Sequence, residues 1–123
     1  MNNKIQLLDC TLRDGAYITQ SNFGTPAIKG IIKRMQDANI DIIECGWLKN
    51  TPHKEGSSFF HTPSDMVPYL LDKRSDTLYA VMIDWDRYDI ENLPVCDGKS
   101  VDAIRIVFPR GKHNEAIEIG KQI

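Results

Sequence analysis

Apolar residues along the chain fall into four short runs separated by longer stretches of mixed polarity. The runs occupy residues 5–11, 41–47, 77–85 and 101–109. Each run is nearly continuous rather than alternating, and runs of this kind are typical of strands that are buried on both faces. The pattern therefore predicts four buried strands joined by long connections.

The connections carry helical patterns. Between the first two strands, apolar residues recur at intervals of three and four: Ile28, Ile31, Ile32 and Met35. Thr25 is the predicted N-cap of this helix, with Pro26 at its first helical position and its end near Asn39. A second Thr-Pro pair at Thr62 predicts a helix that runs to about Arg74. Two further helical stretches are predicted later in the chain: 88–93 and 112–123.

Buried strands that alternate with helices indicate an α/β fold with a parallel sheet. Two architectures remain open on this pattern, an open sheet covered on both faces and a barrel ringed by helices. A complete (β/α)8 barrel needs about 250 residues, and this chain of 123 residues is about half of that. No glycine-rich phosphate loop follows any predicted strand, so the sequence gives no support to nucleotide binding.

The chain has 41% hydrophobic residues and a net charge of -2, which is the composition of an ordinary soluble domain. Residues 1–123 are predicted to form one domain. No long Lys/Arg run is present, so neither nucleic acid nor a membrane surface is an expected partner. The amino terminus lacks a signal-peptide core, which predicts a cytoplasmic protein. Cys10, Cys45 and Cys96 are far apart and are predicted to be buried free thiols.

Charged residues inside the apolar runs need partners. Glu44 lies in the middle of the second predicted strand, and leaving it ionised and unpaired in an apolar interior costs several kcal/mol. Arg13, at the end of the neighbouring first run, is the predicted partner because a guanidinium can bind a carboxylate with two hydrogen bonds. Arg105 is a second charge within a strand. Its partner is either a group inside the barrel or a substrate carboxylate, and the sequence does not decide between them.

Two motifs, LDCTLRDG at residues 8–15 and IIECG at residues 42–46, resemble the opening of the DRE-TIM metallolyases. That superfamily includes 3-hydroxy-3-methylglutaryl-CoA lyase, isopropylmalate and homocitrate synthases, and 4-hydroxy-2-oxovalerate aldolase. The resemblance implies the amino-terminal half of a (β/α)8 TIM barrel with about four parallel strand-helix units. It also implies that Asp14 ligates Mg2+ or Mn2+, that Arg13 contacts the substrate oxygen that becomes enolate, and that Glu44 orients Arg13.

The implied activity is a divalent-metal-dependent aldolase or lyase that cleaves or forms a carbon-carbon bond beside the carbonyl of a small 2-oxo acid. In the hydroxy-oxovalerate aldolases a histidine follows the motif, whereas this chain has Tyr17, which could serve as a proton donor. Two alternatives stay open, an acyl-CoA condensing synthase of the same superfamily and a non-catalytic half-barrel scaffold. A His-x-His metal pair, which relatives carry in the region of the seventh strand, is not in these residues. The chain is therefore expected to be a fragment or one half of a homodimer, without appreciable catalysis of its own.

Other chemically suggestive residues have less support. Lys49 follows the second predicted strand and could form a Schiff base, but that role would leave Arg13, Asp14 and Glu44 unused. The histidines are predicted to be hydrogen-bonded or solvated loop residues: His53, His61 and His113. An acidic group after the third strand is predicted to be an exposed face, with Asp84 as a secondary site candidate: Asp84, Asp86 and Asp89.

Overall fold

A computed structural model describes residues 4–123 of the chain. The strands in this range are β1 Leu8–Asp9, β2 Ile42–Leu48, β3 Phe59–Phe60, β4 Leu78–Asp84 and β5 Ala103–Val107. The helices are α1 Thr11–Asp14, α2 Ala16–Thr19, α3 Thr25–Asp37 and α4 His113–Gln122. Two 3-10 segments are also present, Pro63–Tyr69 and Ile90–Asn92.

All strand pairings in the sheet are parallel, and its order is β1-β2-β4-β5, with β3 paired beside β2. Glu44 on β2 is level with Ala80 on β4, which is level with Ala103 on β5. Arg105 is level with Met82 on β4. The parallel α/β fold predicted from the sequence is confirmed, with three of the four predicted strands at nearly their predicted positions.

One face of the sheet packs into the hydrophobic core. Its side chains, together with those of α3, form a buried cluster: Ile28, Ile32, Ile43, Cys45, Tyr79, Val81 and Ile83. Because successive strand residues point to opposite faces, the other face carries Glu44, Ala80, Met82 and Arg105. Glu44 and Arg105 therefore share the face that lies away from α3.

The first strand is shorter than predicted. Only Leu8–Asp9 pairs with β2. Residues 11–14 form the helical turn α1, although Thr11 is the last residue of the predicted strand. The carboxylate of Asp9 accepts hydrogen bonds from the backbone N–H of Thr11 at 3.0 Å and from its hydroxyl at 3.0 Å. This local bond removes the Thr11 N–H from the strand ladder and turns the chain. Arg13 therefore lies in a helical turn beyond β1 and not at a strand end.

The second predicted helix is also shorter. It is a 3-10 segment that ends at Tyr69, and Pro68 within it lacks the backbone N–H that a continuing α-helix needs. Its start is as predicted, since the carboxylate of Asp65 accepts a hydrogen bond from the backbone N–H of Thr62 at 3.0 Å. The first predicted helix is confirmed as α3, except that Thr25 is its first residue and Gly24, with φ of 86°, is the N-cap.

A short strand, β3, lies in the stretch that the sequence pattern shows only as a polar loop. It pairs with β2 after an irregularity in β2 between Glu44 and Trp47. Gly46 within this irregularity has φ of 149°, and a Cβ at this position would collide with the carbonyl oxygen of Ser58. Glycine is required here because β3 and the residue before it approach the β2 backbone so closely.

The cysteines are free, but only one of them is buried. Cys45 lies in the core, Cys10 is partly exposed and Cys96 is exposed. The prediction of three buried thiols is therefore confirmed for Cys45, holds only in part for Cys10, and is wrong for Cys96, which lies in the loop after the 3-10 segment Ile90–Asn92. Across residues 4–123, no helix combines the length and the apolar character needed to cross a membrane.

Candidate active site

Glu44 is the centre of a buried ionic cluster. Its side chain is 0% exposed, and its Oε1 accepts a hydrogen bond from Nε of Arg13 at 2.6 Å. Arg105 binds the same carboxylate with two hydrogen bonds, from Nε to Oε2 at 2.5 Å and from Nη2 to Oε1 at 2.9 Å. The predicted pairing of Arg13 with Glu44 is confirmed. The protein partner of Arg105, which the sequence left undecided, is also Glu44.

Different elements bring the three residues together. The turn α1, which follows β1, places Arg13 beside Glu44, the third residue of the neighbouring strand β2. Arg105 reaches Glu44 from β5, two strands away, a span on the order of 10 Å. The intervening position on β4 is Ala80, whose small side chain leaves room for the arginine to pass.

The cluster holds all three groups in their charged forms. Burial acts to raise the pKa of Glu44, but hydrogen bonds from Arg105 and Arg13 outweigh it and lower this pKa below its ordinary value. Burial acts to lower the pKa of Arg13, and the hydrogen bond and attraction of Glu44 raise it instead. For Arg105, the hydrogen bond to Glu44 is the main cause of a raised pKa. The centre is thus one buried anion bound by two cations.

Asp14 lies at the edge of this cluster. Its Oδ1 accepts a hydrogen bond from Nη1 of Arg13 at 2.8 Å, and its side chain is 60% exposed. The thiol of Cys10 lies 3.9 Å from Oδ2. Gly15, which follows, has φ of -63°. Glycine is needed there because a Cβ would overlap the carbonyl oxygen of Thr11.

The donor set fits a divalent metal only as a partial site. Within residues 4–123, no three His, Cys, Asp or Glu side chains are grouped so that they could hold an ion. Asp14 offers one exposed carboxylate, with one oxygen held by Arg13 and the other beside Cys10. Mg2+ is commonly bound by one or two carboxylates together with waters and substrate oxygens. Asp14 is therefore the residue of the cluster that could ligate such an ion.

Tyr17 lies outside the ionic cluster of Glu44, Arg13 and Arg105. It is 70% exposed, and its ring packs edge-on against Trp47 at a centroid distance of 6.0 Å. No hydrogen bond connects it to Arg13, Asp14 or Glu44 in the described part of the chain. The Nζ of Lys49 lies over the same Trp47 ring at 4.2 Å, so the amine predicted as a secondary Schiff-base candidate instead makes a cation-π contact.

A cleft of about 360 Å³ opens at the carboxyl ends of β2 and β4. Its lining includes Trp47, Lys49, Asn50, Met82, Asp84 and Arg87. No residue of the ionic cluster lines this cleft, although Met82, which does, is level with Arg105 in the sheet. Asp84 lines the cleft, whereas Asp86 and Asp89 are exposed, as predicted.

The histidines are hydrogen-bonded or exposed, in agreement with their prediction. Nδ1 of His53 lies 2.7 Å from the carbonyl oxygen of Phe59. Nδ1 of His61 lies 3.2 Å from the carbonyl oxygen of Lys49. His113 is exposed as predicted, but it is the first residue of α4 and not a loop residue. None of the three histidines is hydrogen-bonded to the ionic cluster.

Sequence reasoning left the partner of Arg105 undecided. The available signal was the register: in a parallel sheet with β4 between them, Glu44 and Arg105 share one face, and only an alanine separates them. That signal depends on knowing the strand order, which the sequence does not state.

The fold is similar to a known structure. The crystal structure of the N-terminal domain of a putative aldolase from Bacteroides vulgatus superimposes with a TM-score of 0.66 and 28% sequence identity. The match covers 95% of this chain and 40% of that chain, so the present chain spans about two fifths of the solved one. No protein-family profile matches the chain, and no curated protein does. The chain therefore has a parallel α/β fold like that of the N-terminal domain of this putative aldolase.

Proposed function

We propose that this chain contributes the enolate-stabilising part of the active site of a divalent-metal-dependent aldolase or lyase that acts on a small 2-oxo acid. One observation carries the proposal: the buried Glu44 holds two arginines beside an exposed carboxylate, Asp14. Likeness to an aldolase domain supports the same reaction class.

Carbon-carbon cleavage or formation beside a carbonyl passes through an enolate, whose negative oxygen must be stabilised. Arg13 has the properties that this task requires. Its Nε is fixed by Glu44, its Nη1 by Asp14, and its side chain is 17% exposed. A preorganised guanidinium of this kind stabilises developing charge without reorganising at the moment of reaction.

Asp14 is the proposed ligand of Mg2+ or Mn2+. When bound, such an ion supplies a Lewis acid that polarises the carbonyl oxygen of the substrate. Asp14 also binds Nη1 of Arg13, so it would keep the guanidinium beside the same carbonyl. Tyr17, whose exposed ring packs against Trp47 in the cleft wall, is the proposed proton donor.

We further propose that residues 1–123 correspond to the first four strand-helix units of a (β/α)8 catalytic domain, with the remaining units supplied by more chain or by a second copy. Apart from the short β3, the parallel strands β1, β2, β4 and β5 are neighbours in their chain order, which is the order that a barrel wall has. Under this proposal, the chain alone enolises its substrate slowly.

Exchange of the methyl protons of pyruvate with D2O, followed by proton NMR, tests the enolate step. It measures breakage of a C–H bond whose electron pair passes to the carbonyl oxygen, while the proton goes to solvent. The longest open reading frame that contains this chain is assayed with Mg2+ or Mn2+. Exchange should require the metal and fall at least about a hundredfold in Arg13→Ala, the scale of losing one oxyanion donor, and strongly in Asp14→Asn.

The matched controls are Arg110→Ala and Asp86→Asn, which alter exposed residues outside the cluster. Wild-type exchange rates are expected in both. Metal-dependent exchange that survives Arg13→Ala and Asp14→Asn would contradict the assignment of these residues. Absence of exchange in the longest reading frame would favour the non-catalytic scaffold instead.

A further inference from the structure

Lys49, the residue after β2, differs from the other cations that lack an ion pair. Its side chain is partly buried, and its ammonium has neither an ion pair nor a hydrogen bond within residues 4–123. The other lysines and arginines without an ion pair in that range are all exposed: Lys29, Arg34, Lys54, Arg87, Lys99 and Arg110. The rings of Trp47 and Phe59, at 4.2 and 5.0 Å from Nζ, stabilise its charge. The rings offer no oxygen, so the three N–H donors of the ammonium still lack a hydrogen-bond acceptor from the described chain.

Asp84, the last residue of β4, is the corresponding anion. It is partly buried, and its carboxylate has no hydrogen bond or ion pair with any residue that the structure describes. The other carboxylates that lack such contacts there are exposed: Glu55, Asp72, Asp76, Asp86 and Glu91. A partly buried charge has lost some of its hydration. Its lack of a protein partner therefore leaves a hydrogen bond for a ligand to supply.

Lys49 and Asp84 line the same cleft at the carboxyl ends of β2 and β4, but they do not form an ion pair with each other. Arg87 lines this cleft as well and is a second cation without an ion pair. The charged side chains of the lining therefore carry a net charge of +1. Asp86 and Asp89 in the following loop are exposed and do not line the cleft. A volume of about 360 Å³ is suited to a small molecule.

We propose that this cleft binds a small organic anion that also carries a hydroxyl group. The oxyanion of the ligand accepts hydrogen bonds from Lys49 and Arg87, and the hydroxyl group donates one to Asp84. A single negative charge on the ligand neutralises the net charge of the lining, which neither a zwitterion nor a neutral polyol does. A carboxylate and a phosphate monoester share this chemistry.

The proposed anion site is separate from the ionic cluster of Glu44, Arg13 and Arg105. None of the three residues lines the cleft, and neither does Asp14. The inference therefore stands on the unpaired charges of the cleft and does not depend on the proposed carbon-carbon chemistry.

Binding of glycerate tests the inference, with the longest open reading frame that contains this chain and without metal. Glycerate has a carboxylate and two hydroxyl groups, whereas propionate lacks the hydroxyl groups and glycerol lacks the carboxylate. An NMR titration follows the backbone amides of residues 47–51 and 82–87. Glycerate should shift these resonances and bind at least about tenfold more tightly than propionate or glycerol, because each of them lacks one hydrogen bond to a charged group. Glycerol 3-phosphate distinguishes the oxyanions: tighter binding than glycerate identifies a phosphate ligand, and weaker binding a carboxylate ligand.

Two variants assign the roles within the cleft. Lys49→Met keeps aliphatic packing on Trp47 and removes the charge, so it should weaken glycerate binding at least about tenfold and leave glycerol binding unchanged. Asp84→Leu removes the acceptor for the hydroxyl group and should abolish the preference for glycerate over propionate. Lys54→Met and Asp86→Leu are the matched controls, since they change exposed residues outside the cleft, and both should bind glycerate like the wild type.

Should Lys49→Met fail to fold, Lys49→Gln replaces it, with the same loss expected. Equal affinity of the wild type for glycerate and glycerol overturns the inference. Shifts confined to residues outside the cleft, no binding of either anion, or unchanged glycerate affinity in the uncharged Lys49 variant also overturn it. The titration requires no turnover, so an absence of proton exchange from pyruvate contradicts the proposed function and leaves this result intact.

Discussion

Arg105 on β5 reaches across β4 to bind Glu44 on β2 with two hydrogen bonds of 2.5 and 2.9 Å. The contact ties together three neighbouring strands of a parallel sheet. It also fixes Arg13, because Oε1 of Glu44 accepts hydrogen bonds from both arginines. Stability of the sheet and position of the candidate catalytic arginine therefore depend on the same buried carboxylate.

Replacement of Glu44 by glutamine should destabilise the protein by about 3 kcal/mol, because it leaves two guanidinium groups without their shared anion in a buried site. Urea denaturation measures the effect. The control is Glu118→Gln, since Glu118 and Lys121 form an exposed pair on α4, and it should leave the free energy of unfolding unchanged within error. Equal stability of Glu44→Gln and wild type would show that the buried cluster contributes no net stability.

Acid should destabilise the wild type more than Glu44→Gln. The pKa of Glu44 is lowered in the folded state, so its contribution is present above the unfolded pKa of about 4.3 and is lost as the pH falls through the lower folded value. Asp37, Asp41 and Glu115 also have lowered pKa values, and they act equally in both proteins. The difference between the two urea midpoints, measured from pH 7 to pH 2, therefore isolates Glu44 and should shrink towards low pH.

Cys45 should resist thiol reagents while the protein is folded. Burial raises the pKa of its thiol to about 12, and the thiolate is the reactive form. With a disulfide reagent at pH 8, Cys96 should react rapidly, Cys10 more slowly and Cys45 only upon unfolding. Mass spectrometry of the labelled peptides identifies the sites. Fast labelling of Cys45 under native conditions would contradict its burial.

Alkaline pH should destabilise the protein through the same thiol. Above about pH 8.5 the unfolded chain releases the Cys45 proton, whereas the folded chain keeps it until pH is about 12. The unfolded state is thereby favoured progressively in this interval. Cys45→Ala should show a flatter dependence of the urea midpoint between pH 8 and pH 10, while Cys96→Ala should match the wild type.

Gly46→Ala should be strongly destabilising, by about 3 kcal/mol or more, since it combines an unfavourable positive φ with a collision against the Ser58 carbonyl. The control is Gly30→Ala, within the exposed face of α3, where a Cβ meets nothing within 4 Å. That change should stabilise the protein by up to about 1 kcal/mol. Thermal unfolding of both variants measures the difference in stability. Equal stability of Gly46→Ala and the wild type would contradict the close approach of the Ser58 carbonyl to Gly46.

Much of the fold was predictable from the sequence because its signals are local. Continuous apolar runs identify β2, β4 and β5, and spacing of three and four identifies α3. Burial of Glu44 in the middle of a run demanded a cation, and Arg13 was the cation nearest in the expected sheet. These inferences need only period, propensity and the cost of an unpaired buried charge.

Tertiary structure decided what local signals could not. Two of the differences from the predicted elements are local instead: the Asp9 carboxylate ends β1 early by binding Thr11, and Pro68 lies within the 3-10 segment Pro63–Tyr69 that stands in place of a longer helix. The second arginine of the cluster depended on strand order: Arg105 meets Glu44 only because β4 lies between β2 and β5 and presents Ala80 there. Sequence alone determined that Glu44 and Arg105 each needed a partner, and only packing of the sheet brought them together, because residues 61 positions apart become neighbours through register and not through spacing along the chain.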